Sequence, residues 1–174
     1  MRSRFLVIGL LALALAGEAS AAGPQGKTFG LGLELGDPSG FNAKYWMDSI
    51  SALDFRLGYE HMFYHWHGFS LGAGYLYHAY DFKVHAPFRL LFYVGGGGKL
   101  LFWDDHYHDY DDDGFGIGIR VPFGLTMILN RVPFDVFLEF APGFTFLFGH
   151  DDHYYDQDHD WFDVDVSLGG RFYF

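Results

Sequence analysis

Apolar and polar residues alternate along most of the chain after residue 28. The clearest stretch is Leu53-Asp-Phe-Arg-Leu-Gly-Tyr-Glu60, in which every second residue is large and apolar. A period of two is that of a β-strand, whose successive side chains point to opposite faces. The same alternation recurs in seven other stretches: 29–35, 41–46, 70–77, 88–95, 116–124, 135–144 and 162–169. The pattern therefore predicts eight strands and an all-β fold.

The two faces of the predicted strands differ in chemistry. One face is almost purely Phe, Leu and Val, whereas the other carries Gly, Ser and charged residues. The interior of an eight-stranded barrel is only just wide enough for side chains, so about 30 bulky apolar side chains would not fit inside. The charged face fits if its acids and bases pair, and the apolar face then meets lipid. We therefore expect an eight-stranded antiparallel transmembrane β-barrel of up-and-down topology. The charged residues predicted to face its interior are Glu34, Asp54, Glu60, Asp135, Glu139, Asp163 and Asp165, with Lys44, Arg56, Arg89, Lys99, Arg120 and Arg171.

The first 22 residues have the pattern of a signal peptide. Arg2 and Arg4 precede an apolar run of 12 residues, Phe5 to Ala16, and Ala19-Ser-Ala21 supplies the small residues of a cleavage site. The run is too short to span a bilayer as a helix, which takes about 20 residues. No later stretch of 18 uncharged apolar residues occurs. The sequence thus predicts a cleaved signal peptide over 1–22 and a barrel over 23–174 with no transmembrane helix.

Two segments carry a resemblance to a known family. The chain ends in Val166-Ser-Leu-Gly-Gly-Arg-Phe-Tyr-Phe174, and Gly36-Asp-Pro-Ser-Gly40 is followed by Lys44-Tyr-Trp46. With these features the chain, over about residues 28 to 174, resembles the small eight-stranded outer-membrane β-barrels of Gram-negative bacteria, the OmpA/OmpX-like type. The resemblance implies location in the cell outer membrane, contact with its lipid and lipopolysaccharide, and recognition of the strand ending at Phe174 by the assembly machinery. Gly170 departs from the bulky residue of that family at this position.

The net charge of −11 comes from two connections predicted to lie outside the cell, the third outer loop (104–114) and the fourth (149–160). The 174 residues contain 22 acids, 11 bases and no cysteine, so disulfides, thiolate metal sites and cysteine nucleophiles are excluded. The bases are too few and too scattered for a nucleic-acid-binding face. The acids that account for the charge are Asp104, Asp105, Asp109, Asp111, Asp112 and Asp113 in the third outer loop, and Asp151, Asp152, Asp156, Asp158 and Asp160 in the fourth.

Histidines share these acidic loops, which makes them candidates for divalent-cation binding. Imidazole suits zinc, whereas clustered carboxylates suit calcium. Asp109-x-Asp-x-Asp-Gly114 matches the opening of a calcium loop, but position 120, where that loop has Glu, is Arg. Two alternatives stay open: the loops are solvated and bind no ion, or they bind another partner. The candidate ligands are His106, His108, Asp109, Asp111, Asp113, His150, Asp152 and His153.

Two classes of function follow. The first is a non-enzymatic surface barrel whose acidic loops bind a divalent cation or an extracellular partner. The second is a lipid A-modifying enzyme, an acyl hydrolase or transferase, which needs a serine beside a histidine and an acid. The mature serines lie outside such a motif, although Ser70 follows His67 closely. We therefore expect no enzymatic activity.

Overall fold

A computed structural model describes residues 23–62, 66–82, 87–106, 111–149 and 162–174. Only the backbone is described for 61–62, 66–67, 103–106, 111–113, 147 and 149. The predicted signal peptide, residues 1–22, lies outside the described residues. Within the described part, no helix has the length and apolar character needed to cross a membrane.

Antiparallel strands make up nearly all of the described chain, which confirms the all-β prediction. Alternating β-branched, aromatic and leucine residues favour this extended backbone, because their side chains pack well on a pleated surface. The nine strands are β1 (Phe29–Gly36), β2 (Ser39–Trp46), β3 (Ser51–Met62), β4 (Trp66–Asp81), β5 (Phe88–His106), β6 (Asp111–Arg120), β7 (Phe123–Leu129), β8 (Phe134–Gly149) and β9 (Phe162–Tyr173).

The nine strands form one sheet that closes into a ring. Their order is β4-β3-β2-β1-β9-β8-β6-β5-β7, and further pairings join β4 to β5 and β8 to β7. The first and last strands pair along Gly30–Gly36 and Ser167–Tyr173. Closure leaves neither of these terminal strands as an open edge.

The prediction of one continuous strand over 116–124 is wrong, because the structure divides this stretch into β6 and β7 at Val121–Pro122. Both parts pair with β5 on one side and with β8 on the other. Proline has no N–H to donate to a neighbouring strand. At the break, the N–H of Gly95 donates to the carbonyl of Pro122 at 2.7 Å, and the N–H of Val121 donates to that of Pro142 at 2.9 Å. The alternation of Ile117, Ile119, Val121 and Phe123 continues through this break and therefore hides it.

The ring has a polar interior and an apolar outer wall, as the alternation predicts. Among the described residues, 36 large apolar side chains are exposed, whereas the buried hydrophobic residues number ten. All seven predicted interior acids are buried, together with five of the six predicted bases. The prediction for Arg89 is wrong, since its side chain is 45% exposed and pairs with Asp81 at 2.9 Å. Arg89 lies at the end of β5, where the interior gives way to the surroundings.

The two ends of the ring are different. At the terminal end, β1 begins and β9 ends, and the N–H of Phe174 donates to the carbonyl of Phe29 at 2.8 Å. At the acidic end, β5 meets β6, and β3 meets β4. The strands here extend further than predicted, so that 104–106 and 111–113 belong to strands rather than to a loop. A run of polar residues at a strand end carries no alternation signal, which explains the error.

Candidate functional site

The structure describes three of the eight predicted metal ligands, and these three lie at the acidic end. His106, Asp111 and Asp113 are on strand backbone, whereas His108, Asp109, His150, Asp152 and His153 lie outside the described residues. Among the described residues, no group of three or more His, Asp or Glu side chains could hold a metal ion. The backbone register at this end pairs Asp104 with Asp113, Asp105 with Asp112, and His106 with Asp111.

Arg56 is the centre of the buried charges in the interior. Its Nε lies 2.8 Å from Asp54 Oδ2, its Nη1 lies 2.9 Å from Glu34 Oε2, and its Nη2 lies 2.6 Å from Glu139 Oε1. Nη1 also donates to Ser167 Oγ at 3.2 Å. One guanidinium thus contacts carboxylates from β1, β3 and β8. Arginine suits this role, because its planar fork of five donors engages several acceptors at once.

A second guanidinium, Arg171, joins this centre to the terminal end. Its Nε donates to Asp135 Oδ1 at 3.0 Å, and its Nη1 donates to Asn42 Oδ1 at 2.8 Å and to Asp54 Oδ1 at 3.2 Å. The hydroxyl of Tyr173 donates to the other oxygen of Asp135 at 2.7 Å. These contacts tie the last strand of the ring to β2, β3 and β8.

Lys99 lies toward the acidic end within a group of three carboxylates. Its Nζ is 2.7 Å from Asp163 Oδ2, 3.0 Å from Glu60 Oε2 and 3.2 Å from Asp165 Oδ1. Thr145 Oγ1 also donates to Asp163 Oδ2 at 2.9 Å. A lysine ammonium has three donors, and here each has a carboxylate within reach.

Arg120 connects the Lys99 group to the Arg56 centre. Its Nη2 lies 2.6 Å from Glu139 Oε1, and its Nε lies 3.4 Å from Asp165 Oδ2. The hydroxyl of Tyr93 donates to the second oxygen of Glu139 at 2.8 Å. Acids and bases consequently alternate from one end of the interior to the other. In order, the chain of contacts is Asp135, Arg171, Asp54, Arg56, Glu139, Arg120, Asp165, Lys99 and Glu60.

Little space is left between these side chains. A cavity of about 10 Å³ lies among Arg56, Glu60, Lys99, Arg120 and Asp165, which is room for about one water molecule. Charges buried at this density are tolerated only when they are paired and hydrogen-bonded. The described interior is thus a packed network of ion pairs.

Lys44 has a different environment near the terminal end. Its Nζ donates to His78 Nε2 at 2.8 Å and lies 4.3 Å from the centre of the Trp46 ring. His78 Nδ1 lies 3.1 Å from the carbonyl oxygen of Ile50, so this nitrogen carries the proton and Nε2 accepts. The described hydrogen-bond partner of Lys44 is therefore an imidazole, whereas the other interior bases contact carboxylates. Sequence reasoning did not find this pair, because His78 lies just beyond the alternating stretch, where the register of β4 shifts between Tyr77 and Tyr80.

No protein-family model, curated protein or solved structure matches this chain. Its function is therefore inferred from the wall, the interior and the two ends of the ring.

Three of the described serine hydroxyls make structural contacts. Ser39 Oγ bonds the backbone of its own turn, Ser51 Oγ accepts from Tyr75 at 2.9 Å, and Ser167 Oγ accepts from Arg56. None of these three contacts pairs a serine with a histidine base, which a serine nucleophile needs.

Asp48 lies in the turn between β2 and β3, outside the strands. The N–H groups of Ile50 and Ser51 donate to its Oδ1 at 2.8 Å each. The hydrogen bond from Ile50 is the main cause that lowers the pKa of this exposed carboxyl below its usual value. The two hydrogen bonds that stabilise this turn are consequently strongest when Asp48 is ionised.

Proposed function

We propose that the chain is an eight-stranded transmembrane β-barrel of the bacterial outer membrane, of the OmpA/OmpX-like type. In this proposal β6 and β7 count as one strand broken at Pro122, because they occupy the same place between β5 and β8. The observation that carries the proposal is the inversion of the ring, in which charged side chains are buried and Phe, Leu and Val are exposed.

Lipid is the environment that suits this inversion. Soluble monomers rarely expose apolar patches of more than a few hundred Å², because water disfavours them. In hydrocarbon the apolar wall is favourable, and a closed ring satisfies the backbone polar groups between its strands. The exposed residues are continuous along each strand, as in Leu31, Leu33 and Leu35 of β1.

The charged interior supports a structural role rather than a pore. The contacts from Asp135 to Glu60 fill the ring, and barrels of this size leave no aqueous channel. Because β1 begins and β9 ends at the terminal end, we place this end toward the periplasm and the acidic end outside the cell. The proposed role is a non-enzymatic surface protein, surrounded by outer-membrane lipid and lipopolysaccharide.

The proposal is tested by the mobility of the refolded protein on a denaturing gel, with and without boiling. A closed barrel resists the detergent until heated and runs as a separate, compact form. We expect this form in the wild type and not in Gly32→Val, because a Cβ at Gly32 would lie 2.7 Å from the carbonyl carbon of Gly170 across the closing seam. Gly96→Val is the matched control, since a Cβ there meets nothing within 4 Å. Identical bands before and after boiling in the wild type would refute the barrel.

The last strand is the proposed signal for the assembly machinery. Gly170 leaves a gap on the outer wall, and the ring of Phe134 fills it, with Cζ 2.7 Å from the position of a Cβ. An aromatic surface is thereby kept along β9, which is followed by Phe174. Deleting Phe174 should lower the amount of barrel at the cell surface, and unchanged surface levels would contradict this role.

Divalent-cation binding at the acidic end is a second candidate function. The observation that favours it is the register, which places Asp104 opposite Asp113 and Asp105 opposite Asp112. Like charges directly opposite each other destabilise a strand pair, and a bound dication removes that repulsion. Carboxylates favour calcium, whereas His106 and the predicted histidine ligands favour zinc.

Calorimetric titration with zinc and calcium separates these possibilities. Neutral imidazole is the zinc ligand, so zinc affinity should fall between pH 7.4 and pH 5.5, whereas calcium affinity should change little. The double variant His106→Ala/His108→Ala should lose zinc binding and keep calcium binding. If neither ion gives saturable heat with the wild type, the acidic end binds no cation and is a solvated acidic surface.

A further inference from the structure

Residues 23–27 turn back across the terminal end of the ring. Pro24–Gly26 form a single 3₁₀ turn, in which the N–H of Gly26 donates to the carbonyl of Gly23 and the N–H of Lys27 to that of Pro24, both at 3.1 Å. Gly23 and Pro24 are buried although they precede the first strand. We call residues 23–27 the strap.

The strap lies directly on Trp46. A Cβ at Gly23 would collide with the carbonyl oxygen of Lys27, and it would lie 2.7 Å from Trp46 Cδ1 and 3.1 Å from Trp46 Nε1, so only glycine fits here. The N–H of Trp46 donates to the carbonyl of Thr28 at 2.8 Å, which fixes the chain just after the strap. Trp46 itself is completely buried, and its Nε1 donates to Tyr173 Oη at 3.3 Å.

Trp46 in turn covers the pair of Lys44 and His78. Its ring centre lies 4.2 Å from that of His78, and Lys44 Nζ lies 4.3 Å above it. Lys44 has no exposed surface, although it belongs to the strand residues nearest the terminal end. Three layers therefore close this end in sequence: the strap, Trp46, and the Lys44–His78 pair.

The strap is held less firmly than the layers below it. Residues 23–27 take no part in the strand pairing, whereas Lys44 and Trp46 are paired on β2 with β1 or β3. Local opening costs least where backbone hydrogen bonds and packing are fewest. The strap is thus the layer that can lift while the ring stays closed.

We propose that the strap is a movable closure of the terminal end. When it lifts, the Trp46 indole loses the contact that holds it over Lys44 and can turn aside, which exposes the Lys44 amine to the surrounding water. The closure goes beyond the membrane proposal and does not depend on it, because the three layers are internal to the chain. It gives the terminal end a reactive primary amine that is accessible only in the open state.

Acylation of lysines tests the closure. The probe is a sulfonated N-hydroxysuccinimide acetate, applied at pH 8 to the protein as isolated from cells and read by peptide mass spectrometry. The amine nitrogen attacks the ester carbonyl, a C–N bond forms as N-hydroxysuccinimide leaves, and the amine proton passes to water. In the wild type we expect Lys27 to be acylated while Lys44 and Lys99 are protected.

Gly23→Leu lifts the strap, because the added side chain has no room between the carbonyl group of Lys27 and the Trp46 ring. Gly96→Leu is the control on the outer wall, where a Cβ meets nothing within 4 Å. Lys44 should be acylated at least tenfold faster in Gly23→Leu than in the control, while Lys99, in its group of carboxylates, stays protected. Deletion of residues 23–26 should have the same effect as Gly23→Leu.

Two results would overturn the closure. One is protection of Lys44 in both the Gly23→Leu and the deletion variants. The other is loss of protection at Lys44 and Lys99 together, which would make the strap a requirement of the whole fold. The gel assay distinguishes this outcome from failure of the barrel proposal, because it reports ring closure separately.

Discussion

Arg56 and Leu57 are neighbours on β3, and they show how the two faces of the ring differ. Arg56 is 4% exposed and contacts three carboxylates in the interior, whereas Leu57 is 39% exposed on the outer wall. In a soluble protein these environments would be exchanged. The inner face of the strand is stabilised by ion pairing, and the proposal of a membrane barrel adds that the outer face is stabilised by transfer of its apolar surface to lipid.

Among the substitutions that test this comparison, Arg56→Met should lower the free energy of unfolding the most. It removes the base from Glu34, Asp54 and Glu139, and uncompensated buried charge costs about 3–5 kcal/mol in the free energy of unfolding. Asp54 and Glu139 keep Arg171 and Arg120, whereas the Glu34 contact has no such second base among the described ion pairs. Denaturant unfolding in lipid vesicles measures the loss. Arg56→Lys, which keeps the charge, should lose less, and equal losses would show that charge is not the cause.

Leu57→Arg should have the next largest effect. A charge on the lipid side near the middle of the bilayer costs about 2–4 kcal/mol, falling toward the interfaces. The same unfolding experiment measures it, with Leu57→Ile as the control of similar volume. A negligible loss for Leu57→Arg would indicate that this face meets water.

Asp54→Asn should lower the free energy of unfolding by less than Arg56→Met or Leu57→Arg does, by below about 2 kcal/mol. The reason is that both of its bases keep another carboxylate: Arg56 keeps Glu34 and Glu139, and Arg171 keeps Asp135. Compared with Leu57→Arg in the same vesicles, Asp54→Asn tests which face is inside. If Asp54→Asn is the more damaging change, the assignment of the two faces is wrong.

Asp48→Asn should have the smallest effect, and one that depends on pH. The folded-state pKa of Asp48 is lowered, so its contribution to stability is present above the unfolded pKa of about 3.9 and is lost as the pH falls below it. Wild type should therefore be more stable than Asp48→Asn at pH 7, and the difference should shrink at pH 3. A difference that stays constant with pH would show that the turn does not depend on the ionised carboxyl.

The sequence predicts the strands and the two faces well, because both depend on local alternation. Leu53 to Glu60 alternates without fault, and its even and odd positions face the interior and the wall as expected. Strand ends are predicted poorly, since Asp104 to His106 extend β5 without any apolar signal. The break at Pro122 is missed for the opposite reason, because alternation continues across it.

Partners in the interior could not be predicted from the sequence. Near-equal numbers of acids and bases indicate that pairs form, but the choice among them depends on strand register. Arg56 meets Glu139 across the interior from a strand that is distant in sequence. The Lys44–His78 pair depends on the register shift in β4, which no local pattern reveals.

Spin labels on β3 test the central claim, that the wall faces lipid, most directly. The chain has no cysteine, so single cysteines at Phe55, Leu57 and Tyr59 can each carry a nitroxide, with Lys27 and Asp48 as sites outside the strands. In lipid vesicles, the three wall sites should be relaxed by oxygen, which dissolves in hydrocarbon, and protected from a water-soluble nickel complex. The two sites outside the strands should show the opposite. Relaxation of the wall sites by the nickel complex would place the apolar face in water and contradict the account.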